Sequence, residues 1–293
     1  MRVTEKMRLA TTSDAQTRAG ARLDKASRVA ARGSRVASPS DDPVAYAAKV
    51  RSDHALSLIE TRSELATKVS GELNVAESAL STGVDLLSRV RESAVAGANE
   101  TLDPASRQLL AQQVKAIREE MIGIANTRFG TKYLFGGTKT DTPPFSSGTG
   151  AFTGNDIVTR VPLMEGVSPP TNVSGARAFT TAGGRDVLDD LKTLADALDA
   201  NDVTTIRSSL DNIDSAHTQL VRAETEAGLA SQRFSSAIDI IAGNRTVISA
   251  ARAKEVDGDP FDQLTELSLS KAAYERGVEV TRQLLSLSSL TRQ

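Results

Sequence analysis

The sequence predicts a mainly α-helical protein with a small β insertion, in which the N- and C-terminal segments form a long antiparallel helical bundle. Three observations predict this class. Only 3% of the 293 residues are aromatic, whereas 39% are apolar, so the core must be built from small aliphatic side chains. Apolar residues recur three or four positions apart in both flanks. The middle of the chain differs from the flanks, because it holds most of the aromatic residues and many Gly and Pro.

The first flank carries a sustained helical repeat. A continuous helix is predicted from Pro43 to about residue 98, and a second repeat follows it. Spacing of this kind over several heptads indicates coiled-coil-like packing. The repeating positions are Leu65, Val69, Leu73, Ala76, Leu80, Val84, Leu87, Val90 and Ala94, then Leu110, Val114, Ile117, Met121 and Ile124.

The return flank carries the matching repeat. No Pro occurs from Val203 to Glu255, so one helix of roughly 75 Å is predicted there. His217 falls on its apolar stripe, where a packed histidine is expected rather than a ligand. The stripe consists of Ile206, Leu210, Ile213, His217 and Leu220, continued by Phe234, Ile238 and Ile241.

Helix starts are marked by Asp-Pro pairs at 42–43, 103–104 and 259–260. Asp is a favoured N-cap residue, and Pro at the first helical position loses no hydrogen bond. Helices are therefore predicted to begin near Pro43, Pro104 and Pro260, and Asp202 is predicted to cap a helix at Val203.

The middle segment, 131–184, is predicted to be a small β-rich outer domain. Its short apolar runs are separated by Gly, Pro, Asn and Ser, as expected of strands and turns. The predicted strands are Lys132–Phe135, Ala151–Phe152, Ile157–Pro162 and Arg177–Thr180.

The two ends of the chain are predicted to be assembly helices. Their apolar stripes are too thin to form a stable globule, so they need each other or other copies as partners. We therefore divide the chain into residues 1–42 with 256–293 as an assembly domain disordered in the monomer, residues 43–130 with 185–255 as the bundle, and residues 131–184 as the outer domain. The stripe residues are Leu23, Val29, Leu264, Leu267, Tyr274, Val278 and Leu285.

Composition argues against an enzyme and against a cofactor or metal site. The chain has no Cys and only two His, His54 and His217, so thiolate sites and His-rich metal centres are excluded. The net charge of −2 gives no pull toward nucleic acid or membranes. No apolar stretch is long enough to span a bilayer, and the charged first residues predict no cleaved signal peptide.

Three local features have a possible chemical role and a simpler structural one. Asp41 and Asp42 could form a metal or acid–base pair, but an N-cap beside Pro43 is expected instead. The segment 136–140, Gly-Gly-Thr-Lys-Thr, lacks the spacing of a phosphate loop, and a turn is expected. The basic cluster of Arg28, Arg32 and Arg35 is expected to be solvated or to face another subunit.

Residues 35–45 resemble the R-[IV]-x-x-P-S-D-D-P-x-A element of the flagellar hook-associated protein 3 family, the hook–filament junction proteins of the flagellin family. A second block, from residue 125 to residue 145, resembles that family's A-N-x…Y-[IL]-F-x-G-x-x-T…P-F. The C-terminal helix, Leu264–Leu290, also resembles the flagellin family. The resemblance marks as structural motif residues Arg35, Pro39, Ser40, Asp41, Asp42, Pro43, Asn126, Tyr133, Phe135, Gly136, Gly137, Thr140, Pro144 and Phe145.

The resemblance implies a structural subunit of the bacterial flagellum that joins hook to filament and serves motility. It implies contacts with copies of itself, with the other junction protein, with flagellin and with an export chaperone. It also implies an extracellular location reached through flagellar type III secretion. Two alternatives stay open: a flagellin-type filament subunit, and an intracellular helical binding or regulatory protein.

Overall fold

The computed structural model describes residues 2–163 and 166–290, with the side chains of residues 2–6, 8, 9 and 285–290 outside that description. The described chain is mostly helical, as the sequence predicted. Its elements are α1 (Arg2–Arg32), α2 (Pro43–Gly97), α3 (Pro104–Ala125), β1 (Arg128–Phe129), β2 (Lys132–Tyr133), α4 (Gly175–Phe179), a 3₁₀ turn (Thr181–Gly183), α5 (Val187–Asp199), α6 (Val203–Val256) and α7 (Pro260–Leu290).

The helices begin where the Asp-Pro pairs placed them. The Asp103 side chain accepts a hydrogen bond from the Ser106 backbone N–H, and Asp202 accepts bonds from the N–H groups of Thr204 and Thr205. Asp259 accepts a 2.8 Å bond from the Phe261 N–H at the start of α7. These bonds satisfy donors that the first helical turn leaves without an intrahelical partner.

The described residues form two compact units. One contains residues up to Ile59 together with those from Gly243 onward, and the other runs from Glu60 to Ala242. Helices α2 and α6 contribute residues to both units. No helix in the described ranges is long and apolar enough to cross a membrane.

The core of the 60–242 unit is built from small and aliphatic side chains on α2, α3, α5 and α6. The close contact between α2 and α6 depends on these small side chains. A Cβ atom on Gly83 of α2 would lie 2.9 Å from Cδ2 of Leu220 on α6. On α6, His217 is half-buried at the edge of the apolar stripe. On α2, Leu65 is partly exposed, and the neighbouring Ala66 is buried instead. The buried alanines of α6 are Ala216, Ala223, Ala227, Ala230 and Ala237.

The prediction of a β-rich middle domain is not confirmed. Each named strand has two residues, and they form one hairpin with Gly130 at positive φ in its turn. Isolated bridges pair Phe145 with Phe152 and Arg160 with Pro170. Frequent Gly and Pro interrupt the ladders here, because Pro lacks the N–H that a ladder uses.

The strand predicted at Arg177–Thr180 is wrong. Those residues lie mostly in the short helix α4, and the reason is local. The Ser174 hydroxyl caps the helix by accepting a hydrogen bond from the Arg177 backbone N–H. The Arg177 guanidinium also pairs with Asp156 at 3.1 Å. The buried residues Ala178 and Phe179 therefore point into the core from a helical turn rather than from alternate faces of a strand.

Candidate assembly site

The terminal helices α1 and α7 pack against each other as an antiparallel pair. The Thr281 hydroxyl donates a 3.1 Å hydrogen bond to Gln16 Oε1. Farther along, a Cβ atom on Gly20 would lie 3.5 Å from the Tyr274 ring, so the missing side chain lets the two helices approach. The sequence predicted that these two segments partner each other, and this pairing is present.

The residues predicted to form the assembly stripes are only partly covered by this pairing. Those that are half-buried are Leu23, Val29, Leu267, Tyr274 and Val278. Leu264 is 60% exposed. The side chain of Leu285 lies outside the described residues.

Other apolar side chains of α7 stay exposed beside this pairing. Phe261 is 77% exposed, Leu269 62% and Val280 48%. Apolar side chains that stay exposed on a helix are a property of subunits that associate.

The first motif lies at the base of this pair and connects α1 to α2. Asp42 Oδ1 accepts hydrogen bonds from the backbone N–H groups of Val44 (3.1 Å) and Ala45 (3.0 Å), so it is the N-cap of α2. Its Oδ2 accepts a 3.2 Å bond from Arg35. The hydrogen bond from the Ala45 N–H, and to a smaller extent the one from the Arg35 guanidinium, hold the pKa of Asp42 below its ordinary value of 3.8.

Asp41 has a different task in the same turn. Its Oδ2 accepts hydrogen bonds from the backbone N–H groups of Ser38 (3.0 Å) and Ala37 (3.1 Å) and from the Ser38 hydroxyl. These donors, the Ser38 N–H first, lower the pKa of Asp41. Pro39 is exposed, and the exposed Ser40 shares a 2.8 Å hydroxyl contact with Ser38. Both carboxylates therefore organise backbone, and within the described ranges no cluster of His, Cys, Asp or Glu could hold a metal ion.

A small apolar cluster under the motif escaped sequence reasoning. Val36, Ala45 and Val256 are buried together, and Tyr46 packs against them. The backbone N–H of Arg35 donates a 2.9 Å bond to the Val256 carbonyl, and that of Val36 donates to the same oxygen. The cluster joins Val36, in the connection between α1 and α2, to Val256, the last residue of α6, and no local pattern in the sequence relates the two.

The second motif fastens the middle segment to the end of α3. The Asn126 side chain donates a 2.9 Å bond to the Phe145 carbonyl and accepts one of the same length from the Phe145 N–H. The rings of Phe135 and Phe145 each lie 5.5 Å from that of Phe179, edge to face. Pro144 is buried beside Phe145.

The remaining second-motif residues shape turns. Tyr133 lies under the Arg128 guanidinium at 4.9 Å, and its N–H donates to the Thr140 carbonyl. Gly136 is required because a Cβ would lie 2.2 Å from the Lys139 carbonyl oxygen. Gly137 has a φ of +70°, and a Cβ there would lie 2.2 Å from Asn155 Oδ1, so only Gly fits this turn.

Comparison with known proteins finds flagellar proteins similar to this chain. Residues 4–140 match the bacterial flagellin N-terminal helical region, and residues 210–291 match the bacterial flagellin C-terminal helical region. Flagellar hook-associated protein 3 of Escherichia coli is 32% identical over 123 residues, which is 42% of this chain and 39% of that protein. Its Salmonella typhimurium counterpart is 31% identical over 125 residues. The matched part thus spans about two fifths of the length of these curated relatives.

Solved structures show the same fold. The structure of a hook-associated protein from Vibrio parahaemolyticus superposes with a TM-score of 0.68 at 23% identity, covering 74% of this chain and all of that one. The structure of FlgL from Xanthomonas campestris superposes with a TM-score of 0.63 at 18% identity. The match covers 69% of this chain and 99% of the FlgL chain. With both flagellin helical regions present, the chain belongs to the flagellin family and is similar to flagellar hook-associated protein 3.

Proposed function

We propose that the protein is the subunit that joins hook to filament in the bacterial flagellum. The observation that carries this is the set of exposed apolar side chains on α7, in a chain similar to hook-associated protein 3. They are Phe261, Leu264, Leu269 and Val280. A monomer gains nothing from exposing these side chains to water, whereas a neighbouring subunit would cover them.

The groove along the terminal pair supports association between copies. It measures about 480 Å³, and its lining combines small and apolar residues with charged and polar ones. The lining residues are Ala15, Ala19, Leu269 and Ala273, together with Arg18, Arg22, Glu266 and Ser270. Small side chains let a helix from another subunit approach closely. A contact between two different surfaces of identical subunits produces a ring or a helical layer.

The division of labour within the chain is part of this proposal. Residues 1–42 with 256–293 would form the assembly domain, residues 43–130 with 185–255 the supporting bundle, and residues 131–184 an outer segment. The motif residues at 35–43 would set how the assembly helices leave the bundle. Those between 126 and 145 would hold the outer segment.

The partners we propose are further copies of the chain, the other hook-associated junction protein, flagellin and an export chaperone. The protein would act outside the cell after flagellar type III export. The names of the similar proteins support a flagellar setting for these contacts. We assign no catalytic role to Asp41 and Asp42, because their carboxylates accept hydrogen bonds from backbone N–H groups.

A deletion strain examined by electron microscopy tests the proposal. Hooks without filaments, with flagellin secreted into the medium, are expected. Complementation with the intact gene should restore filaments. Normal filaments in the deletion strain would overturn the junction role.

A filament subunit is the second candidate, and the matches to both flagellin helical regions favour it. The same strain separates the two functions. Loss of a filament subunit removes the main secreted flagellar protein itself, whereas loss of a junction subunit leaves that protein in the medium. Antibody labelling then places the subunit either along the filament or at its base.

A further inference from the structure

The chain passes between the terminal pair and the long helices twice, at residues 33–42 and at residues 257–259. These two connections are hydrogen-bonded to each other. Ser34 and Asp257 form an isolated antiparallel bridge, and the Ser34 hydroxyl contacts the Val256 carbonyl at 3.4 Å. Gln263, in the first turn of α7, donates to the Gly33 carbonyl. Segments more than 200 residues apart in sequence therefore form one local structure.

Arg35 is the side chain that joins the two long helices at this place. Its Nη1 lies 3.2 Å from Asp42 Oδ2, at the N-terminus of α2, and its Nη2 donates a 3.1 Å bond to the Glu255 carbonyl, at the C-terminus of α6. The last carbonyls of a helix have no intrahelical donor and carry partial negative charge, so a guanidinium there is favourable. One cation thus binds the cap of one helix and the open end of another.

Besides the Arg35 side chain, the two connections share backbone hydrogen bonds to the Val256 carbonyl, the Ser34–Asp257 bridge and a small apolar cluster. In the described residues that cluster consists of the buried Val36, Ala45 and Val256, with Tyr46 packed against it. Pro39, Ser40 and Asp41 of the first connection are exposed. The planar guanidinium suits this task, because it donates in two directions at once, which an ammonium group does less well.

We propose that Arg35 is a latch that couples the two connections, so that residues 33–42 and 255–263 open and close as one unit. The use of this latch in assembly rests on the proposed junction role. The coupling itself is a property of the single chain and is tested without flagella.

Hydrogen–deuterium exchange of the full-length monomer, followed by mass spectrometry, measures the coupling. Arg35→Gln should raise the exchange rate of amides in both 35–45 and 255–263 by a similar factor, about threefold for a solvent-exposed ion pair. In Arg35→Lys the exchange rates of these amides should lie between those of Arg35→Gln and those of the native chain. Arg51→Gln, at an exposed arginine on α2, is the matched control and should leave both segments unchanged.

Asp42→Asn keeps a side chain that caps helices well but removes the charge that Arg35 binds. Combined with Arg35→Gln, it should add no further exchange in 255–263, because both changes open the same latch. Faster exchange confined to 35–45 in Arg35→Gln, or additive effects in the double variant, would overturn the proposal. A coupled monomer whose deletion strain still builds filaments would keep the latch and reject the junction role.

Discussion

The Asn126 side chain and the Phe145 backbone exchange two hydrogen bonds of 2.9 Å, which pins the middle segment to the C-terminal end of α3. Asn126→Ala should destabilise the protein by about 1–3 kcal/mol, because it leaves a partly buried N–H and carbonyl without partners. Urea unfolding followed by circular dichroism measures this loss.

Asn126→Asp is the informative companion. It keeps the acceptor for the Phe145 N–H but loses the donor to the Phe145 carbonyl and adds a charge. We therefore expect it to be no better than Asn126→Ala. Asn126→Asp with native stability would show that only one of the two bonds matters.

Phe179 is the ring that both Phe135 and Phe145 contact, and it is fully buried. Phe179→Ala should lower the free energy of unfolding by about 3–5 kcal/mol, since it leaves a cavity that the rigid helices cannot fill. Phe129→Ala is the control. Because that ring is 36% exposed, its removal should lower the free energy of unfolding much less. Equal losses in the two variants would argue that the three-ring cluster is not the anchor of the segment.

The sequence predicted the helices well and the middle segment poorly, for physical reasons. Helix starts depend on local chemistry, so Asp103 and Asp259 could be read directly from their Pro neighbours. Phe179 was placed in a strand because apolar spacing over four residues does not separate a strand from one helical turn. The hydrogen bonds that Arg177 donates to Ser174 and Asp156 favour the helix, and Asp156 lies 21 positions before Arg177 in the sequence.

The first-motif carboxylates were also predictable only in part. The N-cap role of Asp42 follows from Pro43 beside it, as the structure shows. Its bond to Arg35, and the reach of Arg35 to Glu255, depend on two chain ends meeting in space. No local pattern in one sequence reports a contact between residues 220 positions apart.

Acid should loosen the first motif. The pKa values of Asp41 and Asp42 are lowered in the folded chain by the N–H groups they accept from and, for Asp42, by Arg35. Their stabilisation is therefore complete above the unfolded value of 3.8 and is lost as the pH falls through the lower folded values. Amide exchange in 37–45, corrected for its intrinsic pH dependence, should be steady from pH 7 to pH 5 and rise below about pH 4. In Asp41→Asn/Asp42→Asn this acid-dependent step should disappear.

The Glu72 side chain has one oxygen that lacks a hydrogen-bond partner in the described residues. This oxygen, Oε1, is buried beside a small cavity lined by Tyr133, Thr140 and Asn172. Glu72→Gln removes the charge and supplies a donor, so it should raise stability by about 1 kcal/mol. Thermal unfolding at pH 7 checks this, with the exposed Glu64→Gln as control. A lower melting temperature for Glu72→Gln would mean that the carboxylate is needed in the cavity.

The exposed apolar side chains of α7 allow a test of assembly that is separate from folding. Phe261→Ser and Leu269→Ser change side chains that are 77% and 62% exposed, so monomer stability should shift by less than about 0.5 kcal/mol. Association should fall sharply, because the apolar surface that a neighbour would cover is gone. Leu229→Ser, at a 50% exposed leucine of α6, makes the same chemical change elsewhere. Each variant is introduced into the deletion strain, and swimming and filament number are scored beside thermal unfolding of the purified chain. Loss of filaments with Phe261→Ser and Leu269→Ser but not Leu229→Ser places the contact on α7, whereas equal motility in all three strains would mean that another surface joins the subunits.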